Sequence, residues 1–233
     1  MKILAVGPHP DDIEFGCAAV LIQEIRRGTA VKMLVLSRGE AGSRGSPEGR
    51  EQEARDAAAL MGAEIEFLDF GGDCHIEHSP RNSMRIAEEI RKSRPQIVLA
   101  PNPAENQHPD HTAVGRTVRD ACRLARYGGL EELRDQPPHK IGSLFFYNIT
   151  THLTTNPGRP DLIVDISAVV KEWESAMRCH ASQLAGKSYL DLQLTSARAL
   201  GLTAGVEYAI GLFANDPICV ADLAGVSRSA REF

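Results

Sequence analysis

No apolar run in this chain approaches the roughly 18 residues that a membrane-spanning helix needs. Cys17-Ala18-Ala19-Val20-Leu21-Ile22 is among the longest. A membrane is therefore not an expected partner. The apolar stretch near the start, Ile3-Leu4-Ala5-Val6, is too short for a signal peptide and reads as a first strand, so a cytoplasmic protein is expected. Cysteines are few and scattered: five, at positions 17, 74, 122, 179 and 219, none in a Cys-x-x-Cys pair. This excludes a disulfide framework and a cysteine zinc ribbon, and leaves histidines and carboxylates to hold any metal. Positive charge is not in excess; a net charge of −5 gives no electrostatic reason to expect nucleic acid or an anionic membrane surface. Repeats and low-complexity segments are missing. So are the glycine loops for phosphates, since neither Gly-x-Gly-x-x-Gly nor Gly-x-x-x-x-Gly-Lys-Ser/Thr follows the first strand.

What is present is ordinary for a folded protein: 42% hydrophobic and 24% charged residues over a length of 233. A chain of this size buries roughly 70% of its unfolded surface and needs no disulfide or metal merely to fold. One domain spanning residues 1–233 is the expectation, with two small ones as the alternative.

The pattern is strand, loop, helix, repeated. Apolar runs at Ile3 to Val6, Val31 to Leu36, Ile65 to Leu68 and Ile97 to Ala100 read as strands. Between them, helices are expected over Ile13 to Arg27, Pro47 to Met61, Met84 to Lys92 and Pro109 to Arg126. The second has Ser46 as N-cap, Pro47 at its first position and Gly62 at its end. Continuous apolar strands alternating with helices indicate an α/β fold, a doubly wound, mostly parallel sheet with helices on both faces. This regular core covers about residues 1–126, and a more irregular part about 127–233. There, Leu144 to Ile149 and Leu162 to Ile166 read as strands, and Val169 to Gln183 and Tyr189 to Leu200 as helices.

Two His/Asp clusters stand out. Gly7-Pro8-His9-Pro10-Asp11-Asp12 follows the first strand, and Gln107-His108-Pro109-Asp110-His111 follows the fourth. In a doubly wound sheet of order 3-2-1-4-5, strands one and four are neighbours at the reversal, and ligands bind outside their carboxyl ends. Both clusters would then face one crevice. The residue types suit zinc, which in catalytic sites takes three protein ligands from His and carboxylates and keeps one position open. His9 and Asp12, three apart, can grip one ion, and His111 can supply the third ligand. Asp11 is then free to accept a proton from the attacking water, and Asp110 can orient an imidazole. Taken singly, Asp-Asp before a helix also serves as an N-cap, and His-x-x-His is common. The pairing of the two clusters at strand ends is what carries the reading.

At these residues the sequence resembles the LmbE-like (PIG-L) family of zinc-dependent N-acetylglucosaminyl deacetylases. The resemblance lies in Pro8-His9-Pro10-Asp11-Asp12 with Glu14 and Gly16, in His108-Pro109-Asp110-His111 opening a helix, and in Arg50-Glu51-Gln52-Glu53-Ala54. Within the family it is most similar to the bacillithiol-pathway type. The resemblance implies a Rossmann-like fold with one metal ion, Zn²⁺ or possible Fe²⁺, held by His9, Asp12 and His111. It implies Asp11 as general base, His108 as oxyanion stabiliser and acid with Asp110 as its partner, and Arg50 in contact with substrate. The reaction implied is hydrolysis of an N-acetylated sugar, a small molecule, to acetate and a free amine. A homo-oligomer, trimer or hexamer, is also implied. The chain departs from the family where Ile210 follows Tyr208-Ala209, a place where many members carry Glu, and at Gln107, where several have a basic residue. An amidase for a larger acyl or thiol conjugate, and a catalytically idle zinc or sugar-binding protein, are the alternatives.

Lesser candidates complete the reading. The loop from Gly39 to Gly49, with Arg38, Arg44 and Arg50, is either a lid meeting a polar or anionic aglycone or a solvated loop. Asp73, His75 and His78 are either a further metal site or a surface loop. Tyr147 is either an oxyanion donor or a packed aromatic. His180 is expected as a partly buried helix histidine, and Trp173 as core.

Overall fold

The computed structural model describes residues 1–104, 108–149, 158–186, 188–222 and 229. The first apolar run forms β1 (Lys2–Gly7), buried from Ile3 onward. It pairs on one side with β2 (Ala30–Val35) and on the other with β4 (Ile97–Pro101), both in parallel, with Ala5 opposite Met33 and Leu99. β3 (Glu64–Phe67) extends the sheet beyond β2, and β5 (Ser143–Tyr147) beyond β4, again in parallel. This is the expected order, with β1 and β4 adjacent. Beyond β5 the sheet changes character: β7 (Ala209–Ala214) runs antiparallel to β5, and β6 (Leu162–Asp165) antiparallel to β7. The order is therefore β3-β2-β1-β4-β5-β7-β6.

Helices cover both faces. On one lie α1 (Asp12–Gly16), α2 (Ala18–Arg26), α3 (Pro47–Met61), α6 (Val170–Arg178), α7 (Ala181–Leu184) and α8 (Tyr189–Thr203). Their apolar side chains, Ile13, Leu21, Met61 and Trp173 among them, share a core with Ile3, Ala5 and Met33. On the other lie α4 (Pro80–Ser93) and α5 (Pro109–Leu124), which bury Ile86, Ile90, Val114 and Val118 against Leu4, Val6 and Val98. The alternation along β1 thus feeds two cores at once, as a strand covered on both faces must. Among the described residues no helix is long and apolar enough to cross a membrane.

Two local expectations are corrected, and one strand is added. The helix read over Ile13 to Arg27 breaks at Cys17, whose φ of −147° is not helical. The break falls where Gly16 lies on the Tyr147 ring, so close that a Cβ there would be 2.3 Å from Cδ2. The helix read over Val169 to Gln183 is divided into α6 and α7 because His180 turns inward and is wholly buried. The strand β7 was not legible: its run Ala209-Ile210-Gly211-Leu212-Phe213-Ala214 is short, contains glycine and shows no polar alternation.

Two contacts fix α4 and α5. Arg91 of α4 is 2% exposed and donates to four carbonyls, those of Ala125, Leu133, Gln136 and Tyr127, at 2.5–3.1 Å. It ties the irregular segment after α5 to the regular core. Arg91→Ala strands those acceptors, and a loss of about 3 kcal/mol is expected, from hydrogen bonds to a charged donor and unsatisfied carbonyls. Urea unfolding would show it as a lower midpoint at unchanged slope. Gly115 brings α5 against the chain that leaves β4: a Cβ there would lie 2.4 Å from the Pro101 carbonyl oxygen and 3.0 Å from the Pro103 nitrogen.

Candidate active site

The site lies where β1 and β4 end side by side. The turn after β1 carries His9, Asp11 and Asp12, and α5 opens with His108, Asp110 and His111. The three imidazoles cluster: ring centroids of His9 and His108 are 4.6 Å apart, of His9 and His111 5.7 Å, and of His108 and His111 5.4 Å. His9, Asp12, Asp110 and His111 are all buried.

Asp12 sits between two of these rings. Its Oδ2 is 2.9 Å from His9 Nδ1 and also accepts the His9 backbone N–H, while its Oδ1 is 3.3 Å from His111 Nε2. The far side of His9 is equally engaged, with Nε2 3.0 Å from Asp110 Oδ2 and 3.1 Å from Asp73 Oδ1. Burial would raise the Asp12 pKa, but the His111 and His9 rings hold it well below the usual carboxylate range. Burial would lower that of His9, but the Asp12 charge and the bonds to Asp110, Asp12 and Asp73 raise it well above the ordinary value. A hydrogen bond from His9 draws Asp73 down to about 2. The cluster thus gathers three carboxylates, those of Asp12, Asp73 and Asp110, around the His9 ring. A divalent cation would answer their charge, and nitrogen-rich donors with carboxylates suit Zn²⁺ or Fe²⁺. Ligand atoms of His9, His108 and His111 lie within 4.8 Å of one another, as do those of His9, Asp73, His108 and Asp110.

His108 caps the helix that carries it. Its Nδ1 accepts the Asp110 backbone N–H at 3.2 Å, and Pro109 occupies the first helical position. A nitrogen that accepts carries no proton, so the proton of the neutral ring is on Nε2. Burial and the neighbouring His9 and His111 rings keep the His108 pKa below its ordinary value. Nε2 points toward Asp73 Oδ1 at 3.5 Å and Cys74 Sγ at 3.6 Å.

Asp11 is held in a strained backbone. Its φ of +107° is a conformation that costs a non-glycine residue about 1–3 kcal/mol. Arg50 of α3 supports it: Nη2 donates to the Pro10 carbonyl at 3.0 Å and lies 3.6 Å from Asp11 Oδ1, while Nη1 donates to the Gly39 carbonyl at 2.9 Å. Burial and the neighbouring Asp12 charge push the Asp11 carboxyl up, against Arg50, His180 and His9, which pull it down.

The other two arginines of this region have these contacts. Arg38 Nε pairs with Glu51 at 2.9 Å, and the Arg44 carbonyl accepts from Gln183. The shallow space beside Asp73 is lined instead by Glu40, Asp69, Gly71, Gly72 and His75. The cluster of Asp73, His75 and His78 does not form: Asp73 joins the site, His78 pairs with Asp120 at 2.7 Å, and His75 is exposed. Tyr147 is a packed aromatic, fully buried, its hydroxyl donating to the Val6 carbonyl at 2.8 Å. Gln107 lies outside the described residues. Sequence reading missed the engagement of Asp73 with His9; its place in a Gly-Gly-Asp turn after β3, at the same sheet edge, was the available signal.

Known proteins share this chain's sequence and fold. Diacetylchitobiose deacetylase of Thermococcus kodakarensis is 32% identical over 195 residues, 78% of this chain and 70% of that protein. The 4-oxalmesaconate hydratase of Pseudomonas putida is 26% identical over 230 residues, 90% of this chain and 87% of that protein. The crystal structure of the conserved protein TT1542 from Thermus thermophilus superposes with a TM-score of 0.85 at 33% identity, covering 97% of this chain and 99% of that one. The profile of the PIG-L family, GlcNAc-PI de-N-acetylase, matches residues 4–122, which include both His/Asp clusters and Arg50. By that match and by its likeness to the Thermococcus enzyme, the chain belongs to the PIG-L family of deacetylases, hydrolytic enzymes acting on N-acetyl amide bonds.

Proposed function

We propose that the protein is a metal-dependent hydrolase that removes the acetyl group from an N-acetylglucosaminide, such as a bacillithiol precursor or a related conjugate. The observation that supports this reading is the buried Asp12 carboxylate lying between the His9 and His111 rings, with the His108 ring packed against both. His9, Asp12 and His111 would hold the ion. When bound, it supplies Lewis-acid polarisation of the acetyl carbonyl and makes water a stronger nucleophile near neutral pH.

The remaining work falls to the chain's own groups. Asp11 takes a proton from the attacking water, its carboxylate steadied by Arg50. His108, neutral, donates from Nε2 to the carbonyl oxygen as that atom gains charge. Asp110 and Asp73 hold the His9 ring from its Nε2 side. The proton on Asp11 then passes to the departing nitrogen. The balance is amide plus water to acetate plus amine.

The test incubates the protein with simple N-acetylglucosaminides and diacetylchitobiose, following acetate and free amine. Release is expected, lost after chelation and restored by Zn²⁺ or Fe²⁺. Hydration of 4-oxalmesaconate without acetate release would overturn the reading, as would cleavage confined to longer acyl amides.

A further inference from the structure

The last third of the chain reaches the site from behind. Trp173 of α6 is 1% exposed and donates from Nε1 to the Glu14 carbonyl at 2.8 Å. His180, between α6 and α7, has its Nε2 3.1 Å from Glu14 Oε1, and both residues are fully buried. The turn that carries His180 is itself tied down. Ser182 gives its N–H and its hydroxyl to the Glu53 carboxylate of α3 at 2.8 and 2.6 Å, and Gln183 donates to the Arg44 carbonyl at 3.0 Å.

The mechanism above makes no use of Glu14 and His180. Burying such a pair is costly, and apolar residues of similar size would serve a core as well or better. Burial by itself would lower the His180 pKa, but Glu14, with Asp11 and Glu53 nearby, raises it. The imidazole faces Glu14 at 3.1 Å inside the core. What this pair grips is α1, whose first turn is continuous with Asp11: the Asp11 carbonyl accepts the Phe15 N–H at 2.9 Å. Glu14 stands three residues beyond Asp11, so its side chain and its carbonyl hold α1 at the place where the left-handed turn of Asp11 must be maintained.

We propose that His180, acting through Glu14, is a positioning residue that keeps the turn of Asp11 in its strained form and so aims the Asp11 carboxylate at the attacking water. The proposal rests on Asp11 being the base, as proposed above. It also explains why the irregular part of the chain sends a histidine into the interior, where a helix was expected to run on.

The test compares His180→Ala, which removes the contact, with His180→Gln, which keeps a donor for Glu14. In the metal-free proteins, amide hydrogen exchange over residues 9–17 is expected to be at least about tenfold faster in His180→Ala, with β1 and β4 unchanged and His180→Gln near the parent. In the metal-loaded proteins, kcat for acetate release should fall about 10- to 100-fold in His180→Ala, the order expected from a small misplacement of a reacting group, with KM and metal content unchanged. His180→Gln should recover most of it. If His180→Ala fails to fold, Glu14→Gln is read on the same segment with the same expectation. Unchanged exchange over 9–17 overturns the proposal whatever the activity. Faster exchange at parental kcat overturns the link to Asp11. A parent protein that releases no acetate overturns the deacetylase reading instead, and the exchange data alone then decide the hold on the turn.

Discussion

Asp11→Asn abolishes turnover and keeps the metal: kcat is expected to fall about a thousandfold, in the range lost with a general base, while elemental analysis finds the parental metal content. The amide matches the carboxylate in shape, so Arg50 and the turn keep their contacts, but it cannot take a proton. The substitution also removes one of two adjacent carboxylate charges, since Asp12 raises the Asp11 pKa. The variant should therefore melt at or above the parental temperature. Wild-type hydrolysis by Asp11→Asn would remove Asp11 from the role of base, and loss of metal would make it a ligand.

His111→Ala gives the opposite pattern. Metal affinity is expected to drop by more than about 100-fold, beyond the loss seen when a merely supporting residue is changed, and activity disappears with it. His111 is one of three side chains proposed to hold the ion, and Asp12 Oδ1 loses its partner at 3.3 Å when the ring is removed. His9→Ala and Asp12→Ala should behave alike. Elemental analysis after dialysis, set beside kcat at saturating metal, separates the two classes of variant. A His111→Ala protein that retains stoichiometric metal would move the ion to the other donors around His9, those of Asp73, His108 and Asp110.

The order of the first five strands and the meeting of the two His/Asp clusters were both legible in the sequence. The closeness of His9, Asp12 and His111 was legible because a short strand ends at each cluster and the strand order brings those ends together. Helix α3 was legible to the residue, since Ser46, Pro47 and Gly62 punctuate it with local chemistry: the Ser46 hydroxyl accepts the Gly49 N–H, and Gly62 takes a left-handed φ of +80°. Where the structure depends on distant packing, the sequence was silent. The break at Cys17 needs the Tyr147 ring from another strand, and the burial of His180 needs Glu14 from the other end of the chain. The direction of β7 is set by its partners, since six apolar residues carry no mark of orientation. Arg50 was expected to contact substrate; its bonds to the Gly39 and Pro10 carbonyls, beside Asp11, appear only in three dimensions.

Gly115 has a bearing on the spacing of the two His/Asp clusters. The first helical turn of α5 bears His108 and His111, and its distance from His9 is metered by how far the helix backbone settles onto the strand exit at Pro101. That distance is set by a hydrogen atom in place of a methyl group. The two His/Asp clusters are thus spaced from a position that contributes no functional group, and even the smallest side chain there would shift one cluster against the other while leaving every residue of both in place.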